Sequence, residues 1–238
     1  MSGHSKWKNI MHKKEKTDAQ RAKVFTKIGK EIAVAVKEGG PDPTSNSKLR
    51  DVIQKAKSNN VPNDNIDRII KKASSDDANY EVIYYEGYGP SGVAVIVEAT
   101  TDNRNRTSAE VRHYFDKFGG NMGAIGCVSF MFSDKGMIVI ANEDIDEDKL
   151  MEDALEAGAE DIANEDEVFE ITTAPADLSV VADELTSKGY TLASAEVTKL
   201  PANYSTLESD DDVTMMTRLL DALDDNDDVT NVWHNWES

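Results

Sequence analysis

Cysteine is almost absent from this chain: Cys127 stands alone in 238 residues. An internal disulfide is therefore excluded, which fits a reducing compartment. The plain reading of Cys127 is a small buried residue leading into a strand, not a nucleophile. Histidine is equally sparse. His4, His12, His113 and His234 are scattered without metal-ligand spacing. No apolar run approaches the roughly 20 residues needed to cross a bilayer. The basic N-terminus has no apolar stretch behind it, so it is not read as a secretory leader. No Ser/His/Asp order or Cys/His pair stands out, and no GK[ST] phosphate loop is present. Nothing here argues for an enzyme, a cofactor or a membrane partner, and the expected location is the cytoplasm.

Two motifs look like sites and fail on context. GYGPSG (87–92) matches G-x-G-x-x-G, but it opens a strand and contains Pro90. A dinucleotide fingerprint must follow a strand and open a helix. The acidic runs EDIDED (143–148) and DDNDD (224–228) lack the calcium loop's central Gly and closing Glu. They are read as solvated helix edges.

What the chain has in abundance is charge, unevenly divided. The net charge is −19. Residues 1–75 carry 17 Lys+Arg against 8 Asp+Glu, whereas residues 76–238 carry 9 against 37. Such asymmetry points to a polyanion bound by the basic part. The acidic part would be repelled by that polyanion, so it must face away, contact a protein partner, or serve solubility.

The apolar periodicity predicts three helices in the basic part. Phe25, Ile28, Ile32 and Val36 mark the first, after an arm over residues 1–16. Leu49, Val52, Ile53 and Ala56 mark the second. Ile66, Ile69, Ile70 and Ala73 mark the third, which Pro62 opens. They form a small bundle with lysine-rich exposed faces. SSDDAN (74–79) reads as a linker.

Residues 85–132 form the centre of the chain. A Gly/Pro turn leads into the apolar run Val93–Val97, a strand. A polar corner (100–106), a helix, a second Gly-rich loop and another apolar run, read as a second strand, follow. Residues 134–204 then give β-α-β-β-α-β, the ferredoxin-like pattern. The final helix and strand (213–223 and 229–236) cannot stand alone. They are expected to return and complete the central unit.

The expected fold class is therefore α+β multidomain. A basic helical domain (1–79) is followed by a discontinuous α/β domain (80–133 plus 205–238), into which a ferredoxin-like domain (134–204) is inserted.

The corner TTDNRNRTSAE (100–110) is the sharpest local feature. Thr107 and Glu110 have capping-box spacing, which places Arg104 and Arg106 just ahead of a helix and Arg112 within it. These arginines either hold a backbone phosphate or pair with Asp102 and Asp116 and fix the corner. The candidate nucleic-acid-binding residues are Lys6, Lys8, Lys13, Lys14, Arg21, Lys23, Lys27, Lys30, Arg104, Arg106 and Arg112. No helix-turn-helix with a polar recognition helix is evident, so base readout is not expected.

Six stretches, GHSKW (3–7), KEKTDAQRAKVF (14–25), GGPDP (39–43), NVPNDNI (60–66), YEGYGPSGVAVIVE (85–98) and TDNRNRT (101–107), together resemble the YebC family. Its bacterial members carry the label of probable transcriptional regulators, and a mitochondrial relative is a translational activator of cytochrome oxidase. The resemblance implies three domains, a helical one and two α/β ones, one inserted in the other. It also implies a non-enzymatic cytoplasmic regulator that binds nucleic acid, either DNA or rRNA on the ribosome. In this chain the strongly acidic 135–238 departs from any uniformly basic surface. That leaves a protein partner open for the acidic domains.

Overall fold

The structure, a computed structural model, describes residues 18–75, 79–165 and 167–237. Helices α1 (Asp18–Gly39), α2 (Ser47–Ser58) and α3 (Asn63–Ser75) form the bundle. Ile28, Ile32, Val36, Leu49, Val52, Ala56 and Ile66 fill its core, as their helical spacing predicts. Buried Asn46 starts α2. Its Oδ1 accepts from the Leu49 amide at 3.0 Å, and its Nδ2 donates to the Ala35 and Gly40 carbonyls. One side chain thus caps α2 and satisfies orphan carbonyls at the end of α1.

The first sheet has the order β3-β1-β2-β9. Its strands are β1 (Glu81–Tyr88), β2 (Ala94–Thr101), β3 (Asn121–Met122) and β9 (Val229–His234). All its pairings are antiparallel. Strand β2 is buried at every position but Glu98, which is half-buried, because both its faces are covered. Helices α4 (Arg104–Lys117) and α7 (Asp210–Asp225) cover one face. There Val95, Val97, Val111, Phe115, Met216, Leu219 and Leu223 pack together. The predicted return of the last helix and strand is what the sheet shows.

The apolar run after Gly126 does not form a strand of this sheet. Residues Ser129–Met131 make a 3-10 turn, and β4 (Phe132–Ala141) pairs elsewhere. The cause is Glu86, a buried residue on β1. Its carboxylate accepts from the amides of Gly126, Val128 and Ser129, each at 2.8 Å. Three amides given to a side chain are unavailable to a strand ladder. Gly87 and Gly120 let β3 close on β1: a Cβ would lie 2.6 Å from the Asn121 carbonyl oxygen and 2.5 Å from that of Tyr88, respectively.

The second sheet has the order β5-β6-β4-β7 and is antiparallel. It comprises β4, β5 (Asp161–Glu165), β6 (Val168–Thr173) and β7 (Leu192–Pro201). Helices α5 (Glu147–Ala157) and α6 (Leu178–Ser187) cover one face over Ile138, Ile140, Phe169 and Ile171. This is the ferredoxin-like topology. The short strands β8 (Ser205–Thr206) and β10 (Trp236–Glu237) pair in parallel.

The chain enters and leaves the second sheet at neighbouring points. Phe132 pairs with Pro201, and the Ala202 amide donates to the Met131 carbonyl at 2.8 Å. We therefore propose that residues 80–133 with 205–238 fold without residues 134–204. A variant joining 133 to 205 through a short Gly/Ser linker is expected to keep its far-UV circular dichroism and a cooperative melt. A linear, non-cooperative melt would show that the two sheets are one folding unit.

Candidate nucleic-acid interface

The acidic run 224–228 is more than a solvated helix edge: Asp224, Asp225 and Asp227 are exposed, but Asp228 is buried. The run closes α7 and turns into β9, and the lysine row of α1 is laid along it. Lys23, Lys27 and Lys30 recur at helical spacing on one face. Lys23 Nζ donates to the Asp225 carboxylate at 2.9 Å and to its carbonyl at 3.2 Å. Lys27 Nζ donates to the Asp224 carbonyl. Lys30 Nζ donates to the Asp227 carbonyl and the Asp228 carboxylate, both at 2.8 Å. The carbonyls of Asp224 and Asp225 belong to the last turn of α7, where helix carbonyls lack partners and the dipole is negative. Lysines from another domain complete that helix end.

Asp228 is the innermost member, with its side chain only 7% exposed. Its carboxylate also accepts from Arg106 at 2.6 Å, from the Thr107 hydroxyl at 2.8 Å and from Thr101 at 3.2 Å. Its backbone carbonyl takes the Thr100 amide at 2.7 Å. Burial works to raise its pKa. The hydrogen bonds from Lys30, Arg106 and Thr107 outweigh burial and bring it down to about 2. The hydrogen bonds that Arg106 donates to Asp228 and Asp102 likewise raise its pKa above its ordinary value.

Helix α4 starts one turn earlier than the capping-box reading places it. Asn103 is the N-cap, its Oδ1 accepting from the Arg106 amide at 3.1 Å. The hydroxyl of Thr107 is buried against Asp228, not free to cap. Arg104 and Arg106 thus lie in the first turn. Arg106 pairs with Asp102 at 3.0 Å as well as with Asp228, whereas Asp116 partners neither arginine. Arg104 is exposed, 4.0 Å from Glu81, and Arg112 is exposed two turns further along α4. Arg21 is exposed on α1. Lys6, Lys8, Lys13 and Lys14 lie outside the described residues.

A second polar junction escaped sequence reasoning. Lys55 on α2 donates to both Glu31 oxygens at 2.9 Å and to the Asn231 side chain on β9 at 3.1 Å. Burial opposes its charge, but Glu31, Glu196 and Glu98 outweigh it and raise the Lys55 pKa. Glu98 in turn accepts from Asn231 at 2.8 Å and from Tyr84 at 2.6 Å. Beside it, Trp233 donates to Thr198 of β7 at 3.1 Å, and Lys199 lies over the Trp233 and Tyr84 rings. All three domains meet here.

Nothing else among the described residues resembles a reaction centre. An open hollow of about 500 Å³ lies between α4 and the acidic turn, lined by Arg106, Glu110, Tyr114 and residues 225–228. No group of three or more His, Cys, Asp or Glu in the described residues could hold a metal ion. No described helix is long and apolar enough to cross a membrane. The loop pinned by Glu86 exposes Ile125 (78%) and Phe130 (77%), which apolar periodicity alone would have buried.

This architecture is a three-domain α+β protein whose basic helical domain is fastened by charge to a split α/β domain. Two family descriptions match it in series. The TACO1/YebC protein N-terminal domain covers residues 5–76, and the TACO1/YebC second and third domain covers 80–236. The chain belongs to this family. It is 61% identical to a probable transcriptional regulatory protein of Acetivibrio thermocellus over 99% of both chains. It is 59% identical to one of Agathobacter rectalis over 100% of both. A crystal structure of a conserved hypothetical protein from Aquifex aeolicus superposes with a TM-score of 0.83 at 45% identity, covering 93% of this chain and 92% of that one.

The Asp228 junction sets an expectation for stability. Asp228→Asn leaves Lys30 and Arg106 facing a neutral amide and is expected to cost about 2–4 kcal/mol in denaturant unfolding at neutral pH. A carboxylate whose pKa falls from the ordinary 3.8 to about 2 on folding stabilises fully above about pH 4. That contribution is lost as pH falls from about 4 towards 2. The gap between wild type and variant should close over that window; a gap independent of pH down to 2 would remove Asp228 from the account.

Proposed function

We propose that this chain is a non-enzymatic, cytoplasmic regulator of gene expression that binds nucleic acid through its phosphate backbone, with DNA as the first candidate. The observation that carries the reading is the segregation of charge. Residues 1–75 hold 17 basic against 8 acidic residues in a chain of net charge −19. A separate basic domain in so acidic a protein has a physical use if its partner is a polyanion. The naming of its relatives as probable transcriptional regulatory proteins supports the same reading. The candidate contacts are the outward lysines and arginines of the N-terminal domain, together with Arg104 and Arg112 on the open face of α4.

One observation favours a second reading, a ribosome-associated translation factor or translational activator bound to rRNA or a ribosomal protein. Helix α1, the longest of the bundle, packs on α2 and α3 and also against β2 and β9. It is not free to enter a major groove. Structured RNA is bound by shape and backbone, which needs no such helix. Sedimentation of extract through sucrose, with and without RNase or DNase, separates the two. Loss of co-sedimentation with ribosomes on RNase treatment selects RNA.

Arg104→Ala with Arg112→Ala tests backbone contact directly. Each lost phosphate contact flattens the slope of log affinity against log salt by about 0.7–0.9. The pair should therefore flatten it by roughly 1.4–1.8 for every sequence alike, with the melting temperature almost unchanged because exposed charges contribute little. An unchanged slope would remove α4 from the interface.

A further inference from the structure

The lysine row of α1 and the acidic turn at the end of α7 form a graded contact. At the rim, Lys23 is 42% and Asp225 is 77% exposed. At the inner end, Lys30 and Asp228 are 13% and 7% exposed, and Arg106 reinforces the carboxylate. Lys27, between them in sequence, belongs with the inner end: its side chain is 11% exposed, its ammonium on the Asp224 carbonyl and 4.0 Å from the exposed Asp224 carboxylate. An exposed pair contributes about 0–1 kcal/mol and is weakened further by salt. A buried pair is far costlier to break. The rim can therefore part while the inner end stays closed.

The groups that hold the rim lysine are the chemical likeness of a nucleic-acid backbone. Lys23 donates to the carboxylate and the carbonyl of Asp225, in a turn that also exposes the carboxylates of Asp224 and Asp227. Phosphate oxygens would present anionic acceptors of the same kind. We propose that the turn 224–227 is an internal stand-in for phosphate, an autoinhibitory contact that competes with nucleic acid for Lys23. The inner Lys30–Asp228–Arg106 junction keeps the domains together while the rim exchanges partners. This inference rests on the nucleic-acid reading of the bundle and states how that site is regulated. Binding is then a replacement of one set of anionic acceptors by another, so affinity is held down without removing a single lysine.

The test separates a local contact from bulk charge. One full-length variant carries Asp224→Asn, Asp225→Asn and Asp227→Asn, leaving Asp228 in place. A control carries Asp148→Asn, Glu152→Gln and Asp183→Asn, three exposed positions on the ferredoxin-like domain. Both lose the same charge. Binding to a fluorescein-labelled DNA duplex of about 20 base pairs and to an RNA hairpin is read by anisotropy across a salt series. The rim variant is expected to bind about tenfold tighter than the control, with a slope steeper by up to about 0.9 as Lys23 is released. Adding Lys23→Ala to the rim variant should abolish the gain. Equal gains in rim and control variants, or a gain that survives loss of Lys23, would overturn the latch while leaving the binding function standing. No binding to either probe by any of the proteins, wild type included, would overturn the function and its regulation together.

Discussion

The carboxylate of Asp228 joins more of this molecule than any other group described. It stands at the start of β9, takes Lys30 from the bundle, and takes Arg106 and Thr107 from α4 and Thr101 from β2. A carboxylate buried to that degree is tolerated only when it is hydrogen-bonded and opposite charge is close. Both conditions hold, and the donors come from three separate elements. The closing strand, the helix of the corner and the basic domain are thereby set relative to one another by one residue. Lys55 performs the reciprocal service, a cation among Glu31, Asn231 and the carboxylates near β9.

These two junctions change the meaning of the net charge. A chain at −19 with a basic first third looks like two repelling or attracting bodies on a string. In the folded molecule Lys23, Lys27 and Lys30 are already paired with acidic residues across the domain boundary. With Lys55, which reaches the Asn231 side chain, they hold the bundle to its neighbour. The basic residues open to a polyanion are accordingly fewer than composition suggests. Those on α4 divide into one structural arginine, Arg106, and two outward ones, Arg104 and Arg112.

Much of the architecture is legible because it rests on local signals. The spacing of Ile28, Ile32 and Val36 demands a helix whose apolar stripe must be covered. The β-α-β-β-α-β order after residue 132 leaves few topologies, and a helix–strand pair left over at the end has to return. The failures share a different cause. Glu86 removes three amides from a would-be strand, and nothing near residue 128 announces a carboxylate forty residues upstream. Thr107 looks like a cap, but its hydroxyl is claimed by Asp228 from beyond the inserted domain. The run DDNDD resembles any solvated acidic edge until the lysines of α1 are seen to lie along it. Periodicity reports which face is buried. It does not report which distant charge a polar residue will meet.

The most direct test of this account is a double-mutant cycle on Lys30→Ala and Asp228→Asn, measured by denaturant unfolding of the full-length protein. Groups in direct, buried contact show coupling of about 0.5–3 kcal/mol, whereas independent sites add to within about 0.5 kcal/mol. The account predicts coupling near the upper part of that range, about 2 kcal/mol, fading as salt is raised only to a small extent because the pair is buried. Additive effects at neutral pH would contradict it, and would mean that the bundle is held to the split domain by packing alone.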